Sequence, residues 1–283
     1  MEQIALLGTG LLGTSIAERL ISKGNSLIVW NRTISKCNHL QKIGANLAYD
    51  LSKDFQNNKI IISVLNDGPV TWSVISQIGS LEGKVIIQMG TIGSEESLKI
   101  DKKVSSLGGF YLEAPVLGSV PEALKGELLI MIGGNPNKFS EYEYLFKLLS
   151  KDYYYLGGVS KASACKLSLN QLIASLTHGF SISLRYIQHT DVDINKFLCI
   201  LSKSALFCQT FDKKKERMIS ENYEGPNFNI SNLSKDLNLF INESTKLGID
   251  ISVLKSLSLL LDKANELDLS KSDYSAIHSL TKQ

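Results

Sequence analysis

The sequence predicts an α/β protein in two parts, a first half in which strands alternate with helices and a second half made of helices alone. Three observations predict it. Short, wholly apolar runs such as Ile4-Ala5-Leu6-Leu7 and Val85-Ile86-Ile87 recur through the first half, the pattern of strands buried on both faces. Amphipathic runs lie between them, opened by Gly, Ser, Asp or Asn. After Gly157-Gly158 the strand-like runs cease, and longer stretches with apolar residues at helical spacing carry on to the end.

Bulk properties narrow the classes of function. With 283 residues the chain suits one large or two medium domains, and a hydrophobic fraction of 43% supplies a core for each. Thirty basic residues against 28 acidic ones leave a net charge of +2, which excludes a bulk field recruiting nucleic acid or a membrane surface. The run Lys213-Lys214-Lys215 reads as one solvated helical turn. Cysteines at 37, 165, 199 and 208 have no Cys-x-x-Cys spacing, and histidines at 39, 178, 189 and 278 form no His-Glu-x-x-His pattern. Neither a metal site nor a disulfide framework is expected, and reduced thiols fit a cytosol. No basic stretch or cleavage site precedes Gln3–Leu7, and no apolar run approaches the ~18–20 residues that span a bilayer. The expectation is a soluble, cytoplasmic protein.

Taken in order, the strand Ile4–Leu7 runs into Gly8-Thr9-Gly10-Leu11-Leu12-Gly13. A helical pattern follows through Ile16, Ala17, Leu20 and Ile21, then a second strand from Ser26 to Trp30. Strand, glycine loop, helix and strand in this succession give Gly-x-Gly-x-x-Gly its meaning as a dinucleotide site. The glycines allow a tight turn and close approach of a pyrophosphate, and the helix N-terminus offers N–H groups and a positive dipole end. At the end of the second strand an NAD site usually carries Asp or Glu to accept from the ribose. Here stand Asn31-Arg32-Thr33. A cation replaces the acid, so Arg32 can pair with a 2′-phosphate, and NADP is the expected cofactor.

Lys59–Leu65 is the next strand, and Asn66-Asp67-Gly68-Pro69 turns into a helix through Trp72 and Ile75. Val85–Gln88 ends in Met89-Gly90-Thr91, and Ser94 with Glu95 and Glu96 starts a helix that Gly108-Gly109 ends. Phe110–Ala114 and Leu128–Ile132 read as strands, with Pro115–Pro121 between them as a short stretch rich in exposed backbone. Asn135-Pro136 starts another helix, and Tyr153–Leu156 is the last strand. Ligands in open sheets of this kind bind beyond the carboxyl ends of the strands, where the loops at Leu65-Asn66 and Gly90-Thr91 fall.

Helices are expected at 162–190, 193–204, 207–221, 229–247, 251–268 and 273–281, punctuated by Gly225-Pro226 and Gly248. The domains are then 1–160 and 161–283, joined by a long helix that Ser160 or Ser163 can cap. Leu167, Ile173, Leu176 and Phe180 form its apolar stripe, while Lys166 and Asn170, four residues apart, project from one face. Lys235 beside Asp236 reads as a surface pair of little energetic worth.

These segments, in this order, resemble the β-hydroxyacid dehydrogenase family, which includes 3-hydroxyisobutyrate dehydrogenases and glyoxylate/succinic semialdehyde reductases. The resemblance is carried by the glycine loop, Gln88-Met89-Gly90-Thr91, Glu113–Ser119, Gly158 through Lys166 to Asn170, and Lys235-Asp236-Leu237. It implies a Rossmann-type NADP-binding domain followed by an all-α domain for substrate and subunit contacts, in a homodimer or homotetramer. It implies that Lys166 is the catalytic acid/base with Asn170 as its partner. Leu65, Asn66, Thr91 and Lys235 become cofactor contacts, and Gly118 and Ser119 the loop for a substrate carboxylate. Leu117 and Gly90 stand where the family usually has serines, which alters the wall of that site.

The implied reaction is hydride transfer between NADPH and a small aldehyde, keto acid or hydroxyacid, with Lys166 stabilising the oxygen charge and moving a proton. An ordinary lysine titrates near ~10.4, and acting as base in the oxidative direction calls for a value roughly 2–3 pH units lower. A non-catalytic NADP-binding regulatory protein and an imine-reductase-like enzyme are the competing readings. Lys166 speaks against both, because imine reductases tend to carry Asp or Tyr there. Neither nucleic acid nor a membrane is expected as partner.

Overall fold

The alternation of the first half folds into one nine-stranded sheet. The computed structural model describes residues 3–282. Its strands are β1 (Ile4–Leu7), β2 (Leu27–Trp30), β3 (Asn46–Leu47), β4 (Ile60–Ser63), β5 (Val85–Gln88), β6 (Phe110–Glu113), β7 (Val116–Leu117), β8 (Leu128–Gly134) and β9 (Ser150–Tyr155). Helices α1 (Leu11–Ser22), α2 (Asn38–Lys42), α3 (Leu51–Asp54), α4 (Gly68–Ile75), α5 (Ser94–Ser106), α6 (Val120–Lys125) and α7 (Pro136–Leu149) connect them. The rest is helical: α8 (Lys161–Gln188), α9 (Ile194–Lys203), α10 (Gln209–Ile219), α11 (Ile230–Lys246), α12 (Ser252–Asp262) and α13 (Ile277–Leu280).

Strands β3-β2-β1-β4-β5-β6 lie side by side in that order, all parallel. β6 and, past Ala114-Pro115, β7 pair antiparallel with β8, and β9 lies parallel to β8. The chain builds outward from β1 to β2 and β3, then returns to place β4 on the other side of β1. Open sheets of this kind take their ligands at such a reversal, beyond the carboxyl ends of the strands. Side chains of β1 show why its run is wholly apolar. Ile4 and Leu6 enter the core shared with Leu20 of α1 and Phe146 of α7, whereas Ala5 and Leu7 enter the one shared with Val74 of α4 and Ile100 of α5. Each fully buried Ile or Leu contributes about 1.5–3 kcal/mol, so a polar residue on either face would be costly.

The chain divides into two compact units between Lys166 and Leu167, six residues into α8. In the second unit Leu184, Met218, Leu233, Leu237, Leu257 and Ile277 make a separate core. Phe180 stacks on Phe211 with ring centroids 4.8 Å apart. Lys214 corrects the reading of the lysine run as solvated. It is buried, its Nζ donates to both carboxylate oxygens of Asp273 at 2.8 Å, and it sits over the Tyr274 ring. The apolar stripe of α8 also differs from expectation. Leu176 is 39% exposed, and the buried positions include Ser163, Lys166, Leu167, Asn170, Ala174 and Thr177. Helix α12 ends at Asp262, short of 268, because turns take over and Asp268 adopts φ 54°. Among the described residues no helix is long and apolar enough to cross a membrane, and no cluster of His, Cys, Asp and Glu could hold a metal ion.

Candidate active site

The glycine loop joins β1 to α1 and each glycine has its own reason. Gly8 has φ 96°, and a Cβ there would lie 2.5 Å from the Val64 carbonyl oxygen. A Cβ on Gly13 would lie 1.9 Å from the Gly8 oxygen, so only glycine lets α1 start against the loop. Gly10 is different: a Cβ there would meet no protein atom within 4 Å, so no internal contact demands glycine. Open space at Gly10, next to a helix N-terminus that no side chain caps, fits a group brought from outside, and a pyrophosphate is the group this geometry suits. Leu11 is exposed, Leu12 is partly buried, and Thr9 is buried with its Oγ1 3.4 Å from Cys37 Sγ.

Asn31, at the end of β2, fastens this loop. Its Oδ1 accepts from the Thr9 N–H at 3.2 Å, and its Nδ2 donates to the Thr33 carbonyl at 3.0 Å. The side chain that follows β2 is thereby an anchor between two loops. Arg32 and Thr33 are exposed beside it, and Arg32 makes no hydrogen bond or ion pair with any described residue.

The loops after β4 and β5 touch each other. A Cβ on Gly90 would stand 2.2 Å from the Leu65 carbonyl oxygen and 3.0 Å from Gln88 Nε2. Gly90 is therefore more than a family serine lost: the backbone of the Leu65-Asn66 loop occupies the place of its side chain. Asn66 is exposed and donates to Asp67 Oδ2 at 3.3 Å, while Asp67 Oδ1 caps α4 through the Val70 N–H. Thr91, partly buried, follows directly. Gly8–Gly13, Asn31–Thr33, Leu65-Asn66 and Thr91 thus all lie at the carboxyl ends of neighbouring strands β2, β1, β4 and β5.

Gly118 and Ser119 come after β7, on the same edge and farther along the sheet. The stretch before them corrects the expectation of exposed backbone, since Pro115 and Val116 are buried and β7 pairs with β8. Ser119 caps α6, and both its N–H and its Oγ–H donate to Glu122 Oε2, at 2.8 and 3.1 Å. Its two donors are committed within the capping turn.

On α8, Lys166 is 8% exposed and Asn170 2% exposed, so both are buried polar side chains one turn apart. In the second unit, Asn170 Nδ2 donates to Asp236 Oδ2 at 2.6 Å and Lys235 Nζ to Asp236 Oδ1 at 2.6 Å. Asp236 is 1% exposed, which overturns its reading as half of a surface pair. A buried carboxylate holding an amide and an ammonium is costly to disrupt, and it fixes which way the Asn170 amide faces. The signal was present in the sequence: Asp236 falls three residues after Leu233 and four before Phe240, inside the apolar face of α11.

A second buried acid carries no local sequence signal. Glu113, at the end of β6, is fully buried. Its Oε1 accepts from the Ser160 N–H, and its Oε2 accepts from the Ser163 N–H at 2.8 Å and from the Ser163 hydroxyl. Burial pushes its pKa up, against these hydrogen bonds, which pull it down. Ser160 has φ 86°, a left-handed conformation costing a non-glycine residue about 1–2 kcal/mol.

A parallel sheet with its reversal beside β1 and a glycine loop opening α1 defines a Rossmann-type dinucleotide-binding domain, here followed by an all-helical part. Comparison with known proteins agrees. The family pattern described as NAD binding domain of 6-phosphogluconate dehydrogenase matches residues 3–157, and that described as NAD-binding of NADP-dependent 3-hydroxyisobutyrate dehydrogenase matches 160–281. Glyoxylate/succinic semialdehyde reductase 1 of Arabidopsis thaliana is 30% identical over 97% of this chain and 96% of its own. Cytokine-like nuclear factor N-PAC of Drosophila melanogaster is 26% identical over 98% of this chain, which spans 47% of that longer protein. The crystal structure of a 3-hydroxyisobutyrate dehydrogenase from Salmonella typhimurium shares the fold, with a TM-score of 0.88 at 16% identity, covering 99% of this chain and 100% of that one. The chain belongs to the β-hydroxyacid dehydrogenase family of NAD(P)-binding oxidoreductases.

Proposed function

We propose that the protein is an NADPH-dependent reductase that interconverts a small β-hydroxyacid and its semialdehyde, or reduces glyoxylate or succinic semialdehyde. The observation that carries this reading is Lys166, a lysine kept at 8% exposure one helical turn from Asn170. Bound NADPH supplies the hydride for the carbonyl carbon. Lys166 stabilises the negative charge growing on the carbonyl oxygen and delivers a proton to it; in the oxidative direction the neutral amine takes the proton back. Asn170, its amide held by Asp236, orients the lysine or the substrate oxygen without adding a charge beside the ammonium.

Arg32, exposed and without a partner among the described residues, supports a preference for NADPH through a charge-assisted bond to the 2′-phosphate. Asn31 supports it indirectly, since a neutral anchor stands where an acid would repel that phosphate. Gly8–Gly13, Asn31, Thr33, Leu65, Asn66, Thr91 and Lys235 complete the proposed cofactor contacts. Gly118 and Ser119 would take the substrate carboxylate, with Ser119 exchanging its bonds to Glu122 for the substrate's. We assign the protein to the cytoplasm on its four free cysteines. Exposed apolar side chains such as Ile200, Val253 and Leu259 support a homodimer or homotetramer.

The deciding experiment assays glyoxylate, succinic semialdehyde, methylmalonate semialdehyde and tartronate semialdehyde with NADPH and NADH, using the native protein and Lys166→Ala. The variant should bind NADPH within about threefold of native and lose roughly 100-fold or more in turnover. Near-normal turnover of Lys166→Ala would remove the lysine from the chemistry. A second reading, a nucleotide-binding regulatory protein, is motivated by the match to N-PAC. It gains if the native protein binds NADPH yet oxidises it with none of the four substrates.

A further inference from the structure

We infer that Glu113 is a positioning residue which locks the first turn of α8 and so sets the place of Lys166, an inference that rests on the catalytic reading of Lys166. Helix α8 begins at Lys161. Two N–H groups of its opening stretch, those of Ser160 and Ser163, are satisfied from a distance, by a carboxylate 47 and 50 residues earlier in the chain. Glu113 thereby ties β6, a strand of the rigid sheet, to Ser160 and Ser163, and Lys166 follows Ser163 by less than one turn. Three further observations fit a dedicated lock. The carboxylate is wholly buried, so no solvent competes for these donors. Ser160 keeps φ 86° while its N–H points at Glu113, a conformation that needs an external partner to hold it. Gly133, paired with Glu113 across β8, clears the space: a Cβ there would lie 2.8 Å from Glu113 Oε1 and 3.1 Å from the Gly158 oxygen.

The lock's bonds to Ser160 and Ser163 act on the start of α8, not on the glycine loop, so their loss should separate turnover from coenzyme binding. In Glu113→Gln, one acceptor oxygen becomes an NH2 group facing N–H and hydroxyl donors. Hydrogen exchange of the 160–166 amides, followed by mass spectrometry, should accelerate at least tenfold. With succinic semialdehyde and NADPH, kcat should fall at least tenfold while the NADPH Kd stays within threefold. Glu113→Asp, which keeps a carboxylate on a shorter arm, should recover at least threefold of both losses. If Glu113→Gln does not fold, Ser163→Ala removes a single donor and should show the same split with a threefold or larger fall in kcat. Unchanged exchange in the first turn, or equal losses in kcat and NADPH affinity, would overturn the inference. The exchange measurement needs no substrate. A native-like Lys166→Ala would therefore defeat the catalytic reading while leaving the lock itself standing or falling on its own data.

Discussion

Asn170 on α8 donates its side-chain amide to Asp236 on α11 at 2.6 Å, and both groups are almost completely buried. The same carboxylate also accepts from Lys235. Asp236→Ala removes the acceptor from a buried amide and a partly buried ammonium at once, which should cost about 2–4 kcal/mol in urea unfolding. Asp236→Asn keeps the shape but allows the Asn170 amide to flip; it should cost less stability and still lower kcat by about tenfold. Native kcat in Asp236→Asn would mean that the orientation of Asn170 is irrelevant to turnover.

Restoring the serine that relatives usually carry at position 90 should harm this protein. With the Leu65 oxygen 2.2 Å from where the Cβ of Gly90→Ser would be, one of the two loops must move. NADPH affinity measured by fluorescence titration should drop roughly tenfold, about 1.4 kcal/mol, with no gain in kcat. A variant that bound NADPH as well as native would show the Leu65-Asn66 loop to be uninvolved in binding.

Arg32→Asp exchanges a cation that no described residue holds for an anion. Losing a charge-assisted bond and gaining repulsion should weaken NADPH by about 2–3 kcal/mol, roughly 30–160-fold, and leave NADH within about threefold. Parallel titrations with both coenzymes check this. Equal effects on the two would detach Arg32 from the phosphate.

His278 gives the helical unit an acid sensitivity. It is fully buried, with Nδ1 3.0 Å from Ser181 Oγ and Nε2 3.2 Å from Gln188 Oε1. Burial, helped by the Arg185 charge, lowers its pKa from 6.5 to about 4. Between those values the unfolded chain binds the proton and the folded one does not. Its contribution is therefore complete above pH 6.5 and is lost as pH falls toward 4, amounting to at most about 3 kcal/mol. Urea midpoints at pH 7 and 4.5 should differ less in His278→Gln than in the native protein; an identical pH dependence would clear His278 of the effect.

The sequence announced β1, β2, β4 and β5 because each is built on a short apolar run, and it announced the glycine loop because strand and helix frame it. Two-residue strands such as β3 and β7 were invisible, being too short to show any period. Lys166 and Asn170 could be paired from their four-residue spacing. Their supports could not: Asp236 is 66 residues from Asn170 and Glu113 is 50 from Ser163, and only folding brings such partners together. Lys214 misled for a related reason. Among three consecutive lysines, one side chain turns inward only because Asp273 waits there, 59 residues on.

That ion pair makes the helical unit dependent on its final stretch. A protease cut or stop codon ahead of Asp273 would strand an ammonium in the interior with no counter-charge. Shortened forms of this chain should accordingly be degraded or aggregate rather than persist as trimmed but working protein.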